Sequence, residues 1–199
     1  MRYAELLTAL TLSGLLVTSA GASGSTIGVF FDPGATDCDI SVAPLSPFSI
    51  YVSAVLGADA AGAGITGAEF RVDGLTVTIM AVTPNPAASL SLGDPTAGWC
   101  AIAFPTCMSG EGSRRAVLLY TITCLATFPV SPVTATVMHH ALPCDSCFPC
   151  RWAPCVTLCD DPVFTTVLVS GGQALINNGA CTVEVQPSAW GRIKSLYRG

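Results

Sequence analysis

A chain of 199 residues that is 51% apolar has too much apolar surface to remain disordered. Its charged residues, at 11%, fall well below the roughly 25% of ordinary soluble domains. A formal net charge of −5 without a basic stripe excludes a nucleic-acid interface, and 19 glycines with 14 prolines prescribe short strands joined by tight turns.

The chain opens with a predicted secretory signal peptide over residues 1–22. Arg2 supplies a weakly positive start, partly offset by Glu5. Leu6 to Val17 (LLTALTLSGLLV) is the apolar segment, short of the ~20 residues a helix needs to span a bilayer. Ala20-Gly21-Ala22 gives the small-x-small cleavage pattern, so the mature protein should begin near Ser23. No later apolar run approaches spanning length. The expected location is therefore secreted or at the cell surface, with no transmembrane helix in the mature chain.

The predicted strands follow in order. Thr26 to Phe31 (TIGVFF) is a short apolar strand ended by the turn Asp32-Pro33-Gly34. Asp32, Asp37 and Asp39 crowd that loop. They have the oxygen chemistry to hold Ca²⁺, but they lack the Asp-x-Asp-x-Asp-Gly pattern and read more simply as turn formers. Ser49 to Leu56 (SIYVSAVL) alternates as a strand does. After a Gly/Ala loop, Ile65 to Val72 (ITGAEFRV) leads to Asp73-Gly74, a hairpin-type dipeptide, with Thr76 to Val82 as its partner or neighbour. Cys100 to Phe104 is a short strand. Arg114-Arg115 is read as a solvated loop tip. Ala116 to Ala126 (AVLLYTITCLA) is the longest apolar run of the mature part, and its β-branched residues favour a strand buried on both faces. Val133 to Met138, Phe164 to Ser170 and Cys181 to Val185 complete about nine strands, the last two flanking Gly171-Gly172 and Asn177-Asn178-Gly179, both turn signals. The expected fold is all-β: a β-sandwich, jelly-roll or cohesin-like, over residues 23–186.

Ten cysteines lie beyond the cleavage site: Cys38, Cys100, Cys107, Cys124, Cys144, Cys147, Cys150, Cys155, Cys159 and Cys181. An even count after a signal peptide implies disulfides, and Cys100–Cys107 is the expected local pair. The dense run from Cys144 to Cys159 admits three readings. Its C-x2-C spacing, with His139 and His140 upstream, has the form of a zinc site. It approaches an iron–sulfur pattern, but the gap before Cys155 is four residues and no proline follows. As a disulfide knot it needs only an oxidising compartment, which the signal peptide favours. Pro143, Pro149 and Pro154 break regular structure here, so about 139–161 is read as a disulfide-rich loop insertion.

Residues 187–199 differ in character. Trp190, Ile193, Leu196 and Tyr197 recur at helical spacing with Arg192, Lys194 and Arg198 between them, and Lys194 is the one lysine of the chain. This is a short C-terminal helix or tail, either packed on the sandwich or serving as an attachment segment.

The stretch from Ser49 to about Met138 resembles cohesin-like domains, a β-sandwich group related in fold to some carbohydrate-binding modules. The matching features are SIYVSAVL with its glycine loop, the Gly67 to Val72 strand (GAEFRV), the segment ending Ala81 to Pro84 (AVTP), and IAF…GEGSRRAVLLYTITCLA. Asp73-Gly74-Leu75 stands where that group often carries Tyr-Asp-Pro, and the cysteine knot is foreign to it. The whole chain also looks like uncharacterised exported bacterial proteins that share such a sandwich and a Trp-Gly-x-x-Lys-x-Leu-Tyr-Arg ending. The resemblance implies a non-catalytic module that binds a docking protein or, in the related modules, a polysaccharide.

The residues point the same way. A hydrolase needs an activated nucleophile beside a base, yet His139 and His140 are adjacent on an extended stretch and point to opposite faces. No G-x-S-x-G, H-E-x-x-H or P-loop occurs. The expected function is a secreted or cell-surface binding or structural module without cofactor, partnered by a protein or polysaccharide. The alternatives are a glycan-active enzyme using a carboxylate pair and a metal-binding protein using the cysteine run. Trp99 and Trp152, placed in predicted loops beside cysteines, are the candidate ligand-binding aromatics.

Overall fold

The structure is a computed structural model and describes residues 24–60, 64–126, 132–139, 153–159 and 165–179. The expected signal peptide, His140, Cys144, Cys147, Cys150, Trp152, the strand at 181–185 and the C-terminal segment lie outside the described residues.

Thirteen strands are present among the described residues: β1 (Thr26–Phe30), β2 (Asp39–Ile40), β3 (Pro47–Val55), β4 (Ile65–Asp73), β5 (Thr78–Pro84), β6 (Leu90–Asp94), β7 (Trp99–Met108), β8 (Ala116–Leu125), β9 (Val133–Met138), β10 (Cys155–Leu158), β11 (Thr166–Leu168), β12 (Ser170–Gly171) and β13 (Gln173–Ile176). They form two sheets. One runs β12-β1-β3-β8-β5; the other runs β11-β10-β4-β9-β13-β2, with β7 paired to β4 and β6 to β7. Pairing is antiparallel except for β1 with β12 and β13 with β2. The fold is an all-β sandwich, as expected.

The core lies between the sheets. Ile27, Val29, Ile50, Val52, Val117, Leu119, Tyr120 and Ile122 from the first sheet meet Ile65, Phe70, Val72, Ile102, Val137 and Val156 from the second. Fully burying one such aliphatic side chain contributes about 1.5–3 kcal/mol. The Tyr120 ring crosses the core to meet Phe70 edge-on at 5.9 Å, and its hydroxyl lies 2.7 Å from the Ser91 Oγ of β6. Burial, more than any neighbour, pushes the Tyr120 phenol up to about 12.

The run at 116–126 is a strand, but it is not buried on both faces. Its register with β3 shifts between Val52 and Ser53, which oppose Tyr120 and Leu118. Leu119 is the extra residue. The bulge turns Val117 and Leu119 inward and then, after the change of phase, Tyr120, Ile122 and Cys124. Period-2 alternation broken by a bulge looks like a continuous apolar run in the sequence.

Glycines mark where the chain changes sheets. Asp73-Gly74 closes no hairpin, because β4 and β5 belong to opposite sheets. Gly74 sits at φ +86°, against the Thr134 carbonyl oxygen. Gly171-Gly172 is likewise not a simple turn. β12 pairs with β1 in one sheet and β13 with β9 in the other, so the chain crosses between sheets at Gly172. A Cβ at Gly171 would collide with the Val137 carbonyl oxygen, and one at Gly172 would stand 3.0 Å from the Gly28 Cα. Strands β2, β6, β10 and β13 were not expected. All are five residues or fewer, too short to leave a periodic signal.

The expected Cys100–Cys107 pair does not form. Cys107 bonds Cys159, while Cys100 and Cys124 are buried thiols. Cys100 sits in β7 facing the core, opposite Phe70. The register between β7 and β4 jumps from Ala103↔Gly67 to Met108↔Ile65, and Cys107 stands on that irregular stretch. The bond reaches Cys159, just past β10, across the start of β4. There the Cys159 N–H donates to the Gly64 carbonyl (3.1 Å), and Gly64 has no room for a Cβ between Met108 O and Cys107 Sγ. The disulfide therefore clips three strands together. Cys38 and Cys155 are also disulfide-bonded. The stretch expected to be a loop insertion thus contains β10, which pairs with β4 and β11.

Candidate functional site

The outer face of the five-stranded sheet is assembled from alternate positions of three adjacent strands. Cross-strand partners share a face. One row carries Tyr51, Thr121 and Thr83; the next carries Ser49, Thr123 and Ala81; the third carries Pro47, Leu125 and Thr78. The side chains between them, Ile50, Ile122 and Val82, pack in the core, which fixes the outward direction of these nine. They are half-buried along β3 and β8, except for the exposed Pro47, and exposed or half-exposed along β5. None is charged.

Two exposed apolar side chains border this surface. Met80 is the extra residue where the β5 register shifts between Ile79 and Ala81, and it is 62% exposed. Leu45, 69% exposed, follows the Pro47 end of the face, tied by its N–H to the Ala126 carbonyl at 2.9 Å. Its φ is +58°, a region that bulky residues rarely occupy, and such strain gathers at functional positions.

The outer face of the other sheet differs in both charge and cover. Leu92, Ala101, Glu69, Cys155 and Leu168 form one cross-strand row. Glu69 at its centre is only 6% exposed, so that face is closed in the middle. Beside it Arg71 pairs with Asp73 at 2.8 Å. Trp99 lies on this same face, half-buried and opposite Asp94. It is the first residue of β7 rather than a loop residue, and its cysteine neighbour is a thiol rather than a disulfide.

Other side chains singled out in the sequence make local contacts. Asp32 uses its carboxylate inside its own loop: the Thr36 N–H (2.7 Å), the Thr36 hydroxyl (3.0 Å) and the Asp37 N–H (2.6 Å) all donate to it. Burial acts to raise its pKa, but those hydrogen bonds outweigh it and hold the carboxyl below the ordinary 3.8. Among the described residues no group of three or more metal-ligating side chains gathers. Arg115, expected to be a solvated loop tip, reaches back to the Ala60 carbonyl at 3.2 Å. Burial pushes both thiols up, Cys124 to about 11 and Cys100 further, which makes them poor nucleophiles.

Tyr51, Thr121 and Thr123 escaped the sequence reading. Their signal was the polar alternation in S-I-Y-V-S, which served only to place a strand, and in T-I-T, which the β8 bulge hid.

No family model and no curated protein matches the chain. Solved structures similar to it include the seventh type I cohesin of ScaB from Pseudobacteroides cellulosolvens, at 9% identity and a TM-score of 0.47, covering 82% of this chain and 98% of that one. The sixth cohesin of scaffoldin B from Acetivibrio cellulolyticus, solved in complex with a dockerin, gives 12% identity and 0.46, covering 78% and 99%. A cohesin module of a family 33 glycoside hydrolase from Clostridium perfringens gives 14% and 0.44, covering 78% and 97%.

Proposed function

We propose that this chain is a non-catalytic binding module that works outside the cytoplasm and engages its partner through the outer face of the five-stranded sheet. The observation that carries the reading is that face itself: three strands wide, with no charge at its nine positions, lined by hydroxyls and bordered by the exposed Leu45 and Met80. Exposed apolar side chains beside an uncharged surface are what contact surfaces present. The Cys107–Cys159 bond supports the export part, since structural disulfides persist in oxidising compartments.

The test is retention. Immobilised protein is exposed to cell-surface extracts and to insoluble polysaccharides, beside a Thr123→Lys variant of equal thermal stability. A lysine at the centre of the face should abolish retention of whatever the parent chain holds. Equal retention by both proteins would remove this face from the function.

A further inference from the structure

We infer that the outer face of the second sheet around Glu69 is occupied by the chain's own residues 140–152, tied to Cys155 through Cys144, Cys147 or Cys150, and so is not a docking site for an outside partner. This holds whatever the five-stranded face engages. β9 and β10 lie in one line along β4. Met138 stands opposite Arg71 and Cys155 opposite Glu69, both strands antiparallel to β4. The other edge of β4 is filled by β7 and, at Val72, by the Pro95 carbonyl of the β6–β7 turn. An unbroken strand would carry residue 140 opposite Glu69, two past Met138 as Glu69 is two before Arg71. Cys155 stands there instead. The stretch between is an insertion into a single strand, leaving the sheet and rejoining it within about 7 Å.

Burial marks the same spot. Glu69 and Cys155 point out of the sheet, yet are only 6% and 3% exposed. Leu92 and Leu168, at the two ends of their row, are 46% and 52% exposed. The cover is therefore confined to the place where the insertion begins and ends. A carboxylate taken out of water needs opposite charge or donors, and residues 140–152 bring Arg151.

The disulfide of Cys155 points to the same occupant. Cys107 and Cys159 bond each other, and Cys100 and Cys124 are thiols. The Cys38 carbonyl accepts from the Leu175 N–H, and Leu175 lies opposite Thr134. That level is about 20 Å from Cys155 along the strand line, far beyond the roughly 4.4–6.8 Å between the Cα atoms of a disulfide. β13 runs antiparallel to β9, away from β10, and the Asn178 side-chain amide donates to the Thr134 hydroxyl at 3.1 Å. Cys181 follows Gly179 by two residues, about 7 Å of chain, too little to return. Cys144, Cys147 and Cys150 remain, all within the insertion.

The experiment joins disulfide mapping of the full chain, by mass spectrometry of a non-reduced digest, to carboxyl labelling with a carbodiimide and glycine ethyl ester. Cys155 should be found bonded to Cys144, Cys147 or Cys150. Glu69 should stay unlabelled while the exposed Glu111 reacts. A shortened chain lacks residues 140–154, joins His139 to position 155 and carries Cys155→Ser. It should fold with β9 and β10 as one strand, and Glu69 should then label as readily as Glu111. A bond from Cys155 to Cys38 or Cys181 would overturn the inference, as would ready labelling of Glu69 in the full chain. So would a folded shortened chain in which Glu69 stays protected, because another part of the molecule then covers the face. If the shortened chain does not fold, the bond map and the labelling of the full chain decide by the same outcomes.

Discussion

Replacing both Cys107 and Cys159 by alanine removes the clip across the start of β4 without leaving a lone thiol. The two residues are 52 apart in sequence. Closing a loop of that length in the unfolded chain is worth about 4 kcal/mol at 25 °C by the chain-entropy relation. For a chain of this size each kcal/mol moves the melting temperature by about 2–4 °C, so a fall of roughly 8–15 °C is expected. Urea titration under non-reducing conditions measures it as a lowered midpoint. A loss below about 1 kcal/mol with an unchanged urea dependence would show that the clip does not restrict the unfolded chain, and the reasoning would fail.

Gly171→Ala should cost at least about 2 kcal/mol, since the new methyl meets a backbone carbonyl that cannot move without disturbing β9; thermal melts of this variant beside Gly179→Ala, whose Cβ position is open but strained in φ, separate collision from backbone strain. The lowered Asp32 pKa means that its contribution to stability is present above the unfolded value near 3.8 and is lost as pH falls through the lower folded value. Asp32→Ala should therefore be less stable than the parent at pH 7, with the gap closing as the pH falls below 3.8; a gap constant with pH would count against a charge-dependent role. Ellman's reagent should leave Cys100 and Cys124 untouched in the native protein and react with both once it is unfolded without reductant; rapid native reaction at either would contradict their burial.

Several features were legible in the sequence because they are local. Ile65–Asp73 and Val133–Met138 declare themselves by alternation and β-branching, and their observed bounds lie within a residue of the expected ones. Asp32 as a turn former follows from its own short side chain. The sandwich follows from many short strands in a chain rich in glycine and proline. What tertiary structure alone decided depends on which strands become neighbours. The partner of Cys107 was settled by β10 pairing with β4, which brings Cys159 to within bonding reach across Gly64; the nearer Cys100 was withdrawn because its face of β7 turns inward. Asp73-Gly74 and Gly171-Gly172 carry turn residues in either case, and whether such a pair closes a hairpin or passes the chain between sheets depends on where the next strand finds its partner. The candidate face has the same origin. Ser49, Thr123 and Ala81 are unremarkable in their separate segments. They become one uncharged surface only when β3, β8 and β5 align in register, with one bulge resetting the phase of β8 and another placing Met80 on β5, because cross-strand pairing is a long-range choice that no single stretch of sequence contains.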